Sequence, residues 1–396
     1  MNQSALNDSD CIAASNSTFR PYYLHSPGMA TGYILSYLLV LLLCVGGNGL
    51  VCLVILRNRN MRSVTNVFIL NLAVSDLLVG AFCVPTTLID SLITGWPFSQ
   101  LTCTMSNLIQ GMSVSASVFT LVALAVDRFS GIVYPFRHRM KPFTALLAIM
   151  FIWLMAFAII FPSAATLTVI HLDNTYMVQD NQTYPLLVCF EDWPKPGLRR
   201  VYTTLIFVQV YLAPLAAISL MYGCIVAKLS TNLRRVGLAE GGVARSRRKV
   251  KVIKMLIMVA VLFMVSWLPL WTLMLLTDYS DLDLQQIDFL SSYLFPVAHW
   301  LAFSNSGINP IIYGFFNKNF RRGFQAAVTC SANPPHAPCI LPANRVSNKI
   351  TASAAPSQKA VGNADPPQNT PEGFQDILLE DSNRGTPNCM HGAWEE

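Results

Sequence analysis

Seven apolar segments, each long enough to cross a lipid bilayer, dominate this sequence. A membrane-spanning helix needs about 20 apolar residues to cover a hydrocarbon core of about 30 Å. Charged residues make up 12% of the 396 residues, against about a quarter in soluble proteins, which is too few to cover a soluble surface. We therefore expect an all-α membrane protein, a seven-transmembrane-helix bundle with spans near residues 32–56, 66–93, 102–126, 144–167, 200–227, 252–277 and 287–314.

Lysine and arginine lie mainly in every second connection between these segments. They follow the first, third, fifth and seventh segments: Arg57, Arg59, Arg62, Arg137, Arg139, Lys141, Lys228, Arg234, Arg235, Arg245, Arg247, Arg248, Lys249, Lys251, Lys254, Lys318, Arg321 and Arg322. Because cytoplasmic loops carry the excess of basic residues, we expect a multi-pass plasma-membrane protein with an extracellular N-terminus. The four glycosylation sequons agree, since all lie in outward segments, at Asn2, Asn7, Asn16 and Asn181.

The outward segments are acidic. Against four bases (Arg20, Lys195, Arg199 and Arg200) they hold eleven acids: Asp8, Asp10, Asp90, Asp173, Asp180, Glu191, Asp192, Asp278, Asp281, Asp283 and Asp288. The net charge of +6 therefore does not indicate nucleic-acid binding, because the positive charge is cytoplasmic and faces anionic lipid and protein partners. An acidic mouth would attract a cationic ligand. A solvated rim without a binding role is the alternative.

Two cysteines share the oxidising side of the membrane. Cys103 lies at the outer start of the third segment, and Cys189 lies in the second outward loop. A disulfide between them would hold that loop across the mouth of the bundle. Residues 1–31 are expected to be an extracellular glycosylated tail, disordered over its first 28 residues, and residues 32–316 are expected to be the transmembrane domain.

The chain beyond the seventh segment divides into two parts. Residues 317–328 are predicted to form an amphipathic helix on the membrane surface, because basic residues alternate there with phenylalanines spaced four apart, at Phe316, Phe320 and Phe324. Residues 329–396 lack apolar periodicity and are predicted to be a disordered cytoplasmic tail. Cys330 at its start is a palmitoylation candidate.

Ionisable residues inside the apolar segments are costly in a bilayer and usually mark function. Asp76 lies within the second segment, Asp127 and Arg128 end the third, and His299 lies one turn below the outer end of the seventh. A lone carboxylate at the depth of Asp76 needs polar partners or a cation. The pair Asp127 and Arg128 could instead be interfacial charges whose side chains reach the headgroups.

The motifs of these segments resemble the signatures of rhodopsin-like (class A) G-protein-coupled receptors. In chain order they are Asn48 within Gly47–Val51, Leu72–Asp76, Asp127–Phe129, Trp153, Pro214 with Tyr222, Phe263–Pro269, and Asn309–Tyr313. The resemblance covers residues 32 to 328. It implies a receptor that activates a heterotrimeric G protein and that is not an enzyme.

The resemblance also implies two functional centres inside the bundle. An oxygen-lined pocket suited to an allosteric sodium ion would be formed by Asp76, Ser117, Asn305, Ser306 and Asn309. A switch for G-protein coupling would use Asp127, Arg128, Tyr222, Trp267, Pro310 and Tyr313. Phe129 replaces the usual tyrosine of its motif, and Lys249 stands where many relatives have an acid. An ionic lock between Arg128 and the sixth helix is therefore not expected.

Longer contiguous segments resemble the neuropeptide FF receptors, their type 2 form more than type 1. These segments are Val64–Gly80, Gly95–Phe98, Gly111–Thr120, Glu191–Pro194, Ser266–Trp271, Ala298–Phe303 and Asn319–Gln325. Receptors for neuropeptide Y, orexin and other RF-amide peptides share parts of them and remain alternatives. The resemblance implies inhibitory (Gi/o) signalling, with arrestin and receptor kinases acting through the tail.

The implied ligand is a peptide ending in Arg-Phe-NH2. Asp278 and Glu191 match positions that pair with the peptide's arginine. The C-terminal amide would meet Thr87, Gln110 and His299, and the phenylalanine ring would meet Trp267 and Trp271. The alternative is that the two acids are solvated and do not contact the ligand. A retinal ligand is excluded because the seventh segment has no lysine, and Gln110 replaces the aspartate of amine receptors.

A seven-span transporter or channel with Asp76 on an ion path is the rival from another class. Such proteins commonly show internal repeats or paired broken helices, and neither is evident in this sequence. An enzyme is not expected, because the spans carry no set of nucleophile and base and no cluster of metal ligands. No cofactor is expected beyond the sodium ion.

Overall fold

The computed structural model describes residues 17–58, 61–134, 140–235 and 240–332. Its helices are α1 (Pro27–Arg57), α2 (Val64–Leu92), α3 (Gln100–Val133), α4 (Pro142–Thr166), α5 (196–235), α6 (Glu240–Tyr279), α7 (284–316) and α8 (Lys318–Ala332). Its strands are β1 (Thr18–Pro21), β2 (Leu167–Gln179) and β3 (Gln182–Glu191).

The predicted seven-helix bundle is confirmed. Helix α3 packs against α2, α4, α5 and α6, and α7 packs against both α6 and α1, so that the ring of helices closes. Within the described residues, α1 to α6 are long and apolar enough to cross a membrane. Helix α7 carries several polar residues in its inner half, among them Asn305, Ser306 and Asn309. Their side chains are buried, which shows that they face the interior of the bundle.

Three helices contain a wide, π-helical turn just before a proline. In α2 the turn spans Val79–Cys83 and precedes Pro85, in α5 it spans Phe207–Leu212 and precedes Pro214, and in α7 it spans Leu290–Leu294 and precedes Pro296. Proline has no backbone N–H to donate to the helix, and such turns frequently lie at functional sites. The α5 turn lies beside the cavity described below and sets which side chains face it.

A three-stranded sheet lies at the end of the bundle where the chain enters α1, which we call the outward end. Strands β2 and β3 form an antiparallel hairpin, and β1 pairs in parallel with the other edge of β2. Asp180 and Asn181 at the hairpin tip both have positive φ, as the tight two-residue turns of hairpins require. The prediction of disorder over the first 28 residues is therefore wrong for β1, which is ordered by its pairing with β2.

Buried polar side chains connect the helices. The Asn48 amide on α1 donates to the carbonyl of Ser306 on α7 at 2.9 Å. The Trp153 indole on α4 donates to Asn71 of α2 at 2.9 Å, and the Asn71 amide donates to Thr120 of α3 at 2.8 Å. In apolar surroundings an unpaired polar group is costly, so these bonds fix the relative positions of the helices.

Helix α8 packs back onto the inner end of the bundle. Phe320 is fully buried and contacts the ring of Tyr313 at 5.8 Å between centroids. Gly323 approaches Val54 so closely that a β-carbon at this position would overlap a valine methyl. The basic residues Arg321 and Arg322 are exposed. The helix ends at Ala332, beyond the predicted boundary at 328, and the Cys330 side chain lies outside the described residues.

Candidate functional site

The outward end of the bundle is covered by the hairpin of β2 and β3. The predicted disulfide between Cys103 of α3 and Cys189 of β3 is present. The Gln100 side chain of α3 also bonds to β2. Its amide donates a hydrogen bond to the carbonyl of Leu167 at 2.9 Å, and its side-chain oxygen accepts one from the Val169 amide at 2.6 Å. These contacts hold the hairpin over the mouth, as the sequence predicted for this loop.

Two cavities lie beneath the hairpin. The first, the helix 5–6 cavity, has a volume of about 240 Å³. Of the predicted ligand residues, it is lined by Gln110, Glu191, Trp267, Trp271 and Asp278. The second, the helix 2–7 cavity, has a volume of about 700 Å³. Of the predicted residues, it is lined by Thr87, Gln110, Glu191 and His299. Gln110 and Glu191 border both cavities and mark their junction.

The two predicted acids meet at a third residue, Arg199. Its Nε lies 3.0 Å from Oδ1 of Asp278 and 3.7 Å from Oε2 of Glu191. Asp278 is almost fully buried, with 4% of its side chain exposed. A buried carboxylate needs a partner, which Arg199 supplies from the first turn of α5. The sequence places Arg199 among the few outward bases, but it does not indicate that this base faces the acids.

Neutral donors also hold Glu191. The Ser163 hydroxyl of α4 donates to one carboxylate oxygen at 2.7 Å, and the Trp193 indole donates to the other at 3.0 Å. The Trp193 ring in turn lies against Tyr202 of α5. Ser163 and Tyr202 line the cavity as well, and neither was singled out from the sequence. The Glu191 carboxylate is therefore fixed in position independently of Arg199.

Aromatic rings form the deep end of the helix 5–6 cavity. Trp267 stacks on Phe263, with 5.7 Å between ring centroids. Trp271 contacts both Phe207 and Tyr211 of the wide turn in α5, with 5.6 and 6.3 Å between ring centroids. Both indoles are more than nine-tenths buried. The cavity thus has carboxylates at its outer end and apolar rings at its inner end.

The three residues predicted to bind an amide are divided between the cavities. Thr87 on α2 and His299 on α7 line the helix 2–7 cavity, and Gln110 on α3 lies at the junction. The Nδ1 of His299 lies 2.9 Å from the carbonyl oxygen of Phe295, which leaves the other ring nitrogen for a different partner. Asp90 and Asp288 line the same cavity.

All five residues of the predicted ion pocket line a single small cavity at the centre of the bundle. Its volume is about 10 Å³, and Asp76, Ser117, Asn305, Ser306 and Asn309 surround it. The side-chain carbonyl oxygens of Asn305 and Asn309 are buried without a hydrogen-bond partner in the described residues. A space of this size holds about one water molecule. One carboxylate, two hydroxyls and two amide oxygens form a hard-oxygen donor set that fits a small cation.

Four of the six predicted switch residues, Asp127, Arg128, Tyr222 and Tyr313, lie at the inner end of the bundle, whereas Trp267 lines the helix 5–6 cavity. Arg128 pairs with Asp127 at 2.7 Å and donates to the Thr65 hydroxyl of α2. Tyr222 and Tyr313 are buried nearby on α5 and α7, and the Tyr313 hydroxyl has no hydrogen-bond partner in the described part of the chain. The Lys249 side chain lies outside the described residues. Arg128 is thus held by α3 and α2.

Of the four predicted glycosylation sequons, one lies within the described residues. Asn181 is exposed at the tip of the hairpin. Asn2, Asn7 and Asn16 lie outside the described residues.

The fold and these two inner centres define a class of membrane protein. The family described as 7 transmembrane receptor (rhodopsin family) matches residues 47–313, and the chain belongs to this family of multi-pass membrane receptors.

Within the family, it is 55% identical to neuropeptide FF receptor 1 of Homo sapiens, over 81% of this chain and 75% of the relative. It is 51% identical to neuropeptide FF receptor 2 of Mus musculus, over 79% and 76%. It is 30% identical to the pyroglutamylated RF-amide peptide receptor of Rattus norvegicus, over 79% and 73%.

Proposed function

We propose that this chain is a plasma-membrane receptor for amidated peptides that end in Arg-Phe-NH2. The observation that carries the proposal is the convergence of Asp278 and Glu191 on one cavity above Trp267 and Trp271. A guanidinium between carboxylates forms charge-assisted hydrogen bonds, and a phenyl ring packs well against indoles. The relatives named for neuropeptide FF and for an RF-amide peptide support the same ligand class.

The C-terminal dipeptide would extend across both cavities. In the helix 5–6 cavity the arginine reaches Asp278 and Glu191, and the phenylalanine ring lies deeper against Trp267 and Trp271. The terminal amide turns at Gln110 toward the helix 2–7 cavity, where Thr87 and His299 offer a hydroxyl and an imidazole. The volume of the second cavity leaves room for preceding residues of the peptide.

Activation follows as a shift in population. A ligand can favour the active state only through stronger contacts with that state. We expect the peptide to draw the helices together around Trp267. The inner end of α6 would then swing outward about Pro269, while α7 moves about Pro310. Arg128 then leaves Asp127 and Thr65 and, with Tyr222 and Tyr313, faces the G protein.

A sodium ion at Asp76 would oppose this shift. The donors fit the ion, and the space between α2, α3 and α7 is already small. Contraction of the bundle on activation would leave no room for it. The ion therefore favours the inactive state and lowers the affinity for agonist peptides.

The cytoplasmic partners are proposed from the family alone. The G protein is of the inhibitory (Gi/o) class, and arrestin and receptor kinases bind the tail, residues 329–396, most of which lies outside the described residues. Palmitate on Cys330 would add a lipid anchor at the end of α8. A fall in cyclic AMP on addition of peptide tests the G-protein class.

The proposed topology places the N-terminus and the hairpin outside the cell. The exposed position of Asn181 supports a glycan there. Glycosidase treatment of the chain and of its Asn181→Gln variant tests this, since the variant should lose one glycan's mass while a variant at the cytoplasmic Asn319 should lose none.

The subtype is a finer question. The sequence motifs favoured type 2, but the identities are 55% with the type 1 relatives and 50–51% with the type 2 relatives, so they do not favour type 2.

A panel of RF-amide, neuropeptide Y and orexin peptides on expressing cells tests the ligand class. Peptide-stimulated nucleotide exchange on a purified G protein separates a receptor from a transporter, which would show ion flux instead.

A further inference from the structure

Arg199 forms an ionic bridge between three outer elements. It lies in the first turn of α5, and its guanidinium contacts Asp278 at the end of α6 and Glu191 at the end of β3. All three residues line the helix 5–6 cavity. The bridge therefore occupies the place where the peptide's arginine is proposed to bind.

The two acids depend on Arg199 to different degrees. Glu191 accepts hydrogen bonds from Ser163 and Trp193, and it is the more distant of the two from Arg199. Among the described residues, Arg199 is the one cation within 4.0 Å of Asp278, whose carboxylate is almost fully buried. Glu191 could keep its position without Arg199, whereas Asp278 would be left as a buried charge without a partner.

The charges of this cluster add to −1, since two carboxylates face one guanidinium. A second guanidinium from a ligand would bring the cluster to zero. The Arg199 side chain is 45% exposed and has room to move from Asp278 toward Glu191. A neutral side chain on the ligand would neither displace Arg199 nor neutralise the cluster.

We propose that Arg199 is a resident counter-ion, which takes the place of the ligand's arginine on Asp278 in the free receptor and withdraws to Glu191 when the peptide binds. The inference rests on the proposed function. It makes Arg199 a specificity-determining residue, because only a ligand that brings its own guanidinium gains the Asp278 contact. It also means that Arg199 lowers the affinity for such ligands by competing with them.

The variant Arg199→Gln tests this role. The probes are a synthetic peptide ending in Arg-Phe-NH2 and its citrulline analogue, in which a neutral urea replaces the guanidinium. Binding is measured on membranes of expressing cells, with surface expression quantified in parallel. We expect the affinity for the arginine peptide to rise about fivefold, the size of a partly exposed ion pair, and the affinity for the citrulline peptide to stay unchanged.

Arg200→Gln is the matched control. It removes the same charge from the next residue, whose guanidinium lies over the Tyr279 ring at 6.0 Å. The affinities for both peptides should stay within about twofold of those of the unaltered receptor, as for an exposed surface charge. If Arg199→Gln does not reach the cell surface, Arg199→Met keeps the aliphatic stem and removes the charge.

The outcomes separate the two proposals. An unchanged or lower ratio of arginine-peptide to citrulline-peptide affinity in the Arg199 variants overturns the counter-ion role, and a loss of both affinities shows instead a structural bridge. If neither peptide binds the unaltered receptor, the proposed function itself fails.

Discussion

The side-chain amide of Asn309 donates a hydrogen bond to the carboxylate of Asp76 at 2.9 Å. The bond joins α7 to α2 at the centre of the bundle, one residue before Pro310. Asp76 has 3% of its surface exposed, and the cavity beside it has room for about one water-sized species. This contact thus places a single buried negative charge next to the proline about which α7 is expected to move.

Asp76→Asn should abolish the effect of sodium on agonist binding. The neutral amide cannot balance the charge of the cation, so the ion loses its main stabilising contact. In the unaltered receptor, we expect sodium chloride to lower agonist affinity more than the same concentration of a large organic cation. Competition binding of an RF-amide peptide in the two salts measures the difference.

Asp90→Asn is the control for that experiment. Asp90 lies on the same helix but lines the helix 2–7 cavity, well away from the ion pocket, so its variant should keep the sodium effect. Full sodium sensitivity in Asp76→Asn would show that the ion binds elsewhere.

Asp278→Ala should weaken a peptide ending in Arg-Phe-NH2 by about 1–3 kcal/mol, the usual worth of a hydrogen bond to a charged group. An analogue with alanine in place of the arginine has no guanidinium to lose, so the same variant should change its binding little. The comparison is a double-mutant cycle on the pair. Asp281→Ala, at an exposed acid three residues further on, should affect neither peptide. Equal losses for both peptides in Asp278→Ala would exclude the pairing.

Gly47→Ala should destabilise the bundle, because a β-carbon there would lie 2.8 Å from Cγ and 3.0 Å from Cβ of Pro310. A proline ring in a packed helix has little freedom to move, and overpacking of this kind costs about 1–3 kcal/mol. A β-carbon at the adjacent Gly46 would meet no atom within 4 Å, so Gly46→Ala should keep or raise the stability, since alanine favours helix. Thermal denaturation of both purified variants measures the difference, and equal stability of the two would contradict the steric argument.

His25→Phe should reduce the sensitivity of the outer end to acid. His25 is buried between Tyr33 of α1 and Tyr293 of α7, and burial lowers its pKa from the ordinary value of 6.5. Above that pH, the imidazole is neutral in both the folded and unfolded states, so its titration does not change the folding stability. As the pH falls below 6.5, the unfolded state takes up the proton first, so folding stability falls.

Thermal denaturation at about pH 7.5 and about pH 5.5, on either side of that ordinary pKa, measures this effect as a difference between variants. The unaltered receptor should lose more stability on acidification than His25→Phe, while His171→Phe, at an exposed position on β2, should behave as the unaltered receptor does. An equal loss in all three proteins would assign the acid sensitivity to other groups.

The sequence predicted most of the bundle because the bilayer imposes simple rules on it. Apolar runs predict the spans, and polar residues within the runs, such as Asp76 and Asn309, stand out against them. The basic residues predict an orientation, which stays a prediction. The outer sheet was not predicted, since β1 depends on pairing with β2, and the two strands lie far apart in sequence, with Thr18 opposite Thr175. Such non-local hydrogen bonds leave no periodic pattern in either segment.

The sequence by itself determined the membrane fold, the family and the residue types at each centre, because these follow from local composition and from motifs within single helices. Only the tertiary structure decided which side chains meet. It brought the five residues of the predicted ion pocket from three helices to one small cavity, divided the predicted ligand residues between two cavities, and placed Arg199 between Glu191 and Asp278. Whether a charge is solvated or paired depends on the positions of its neighbours in space, which no spacing along the chain specifies.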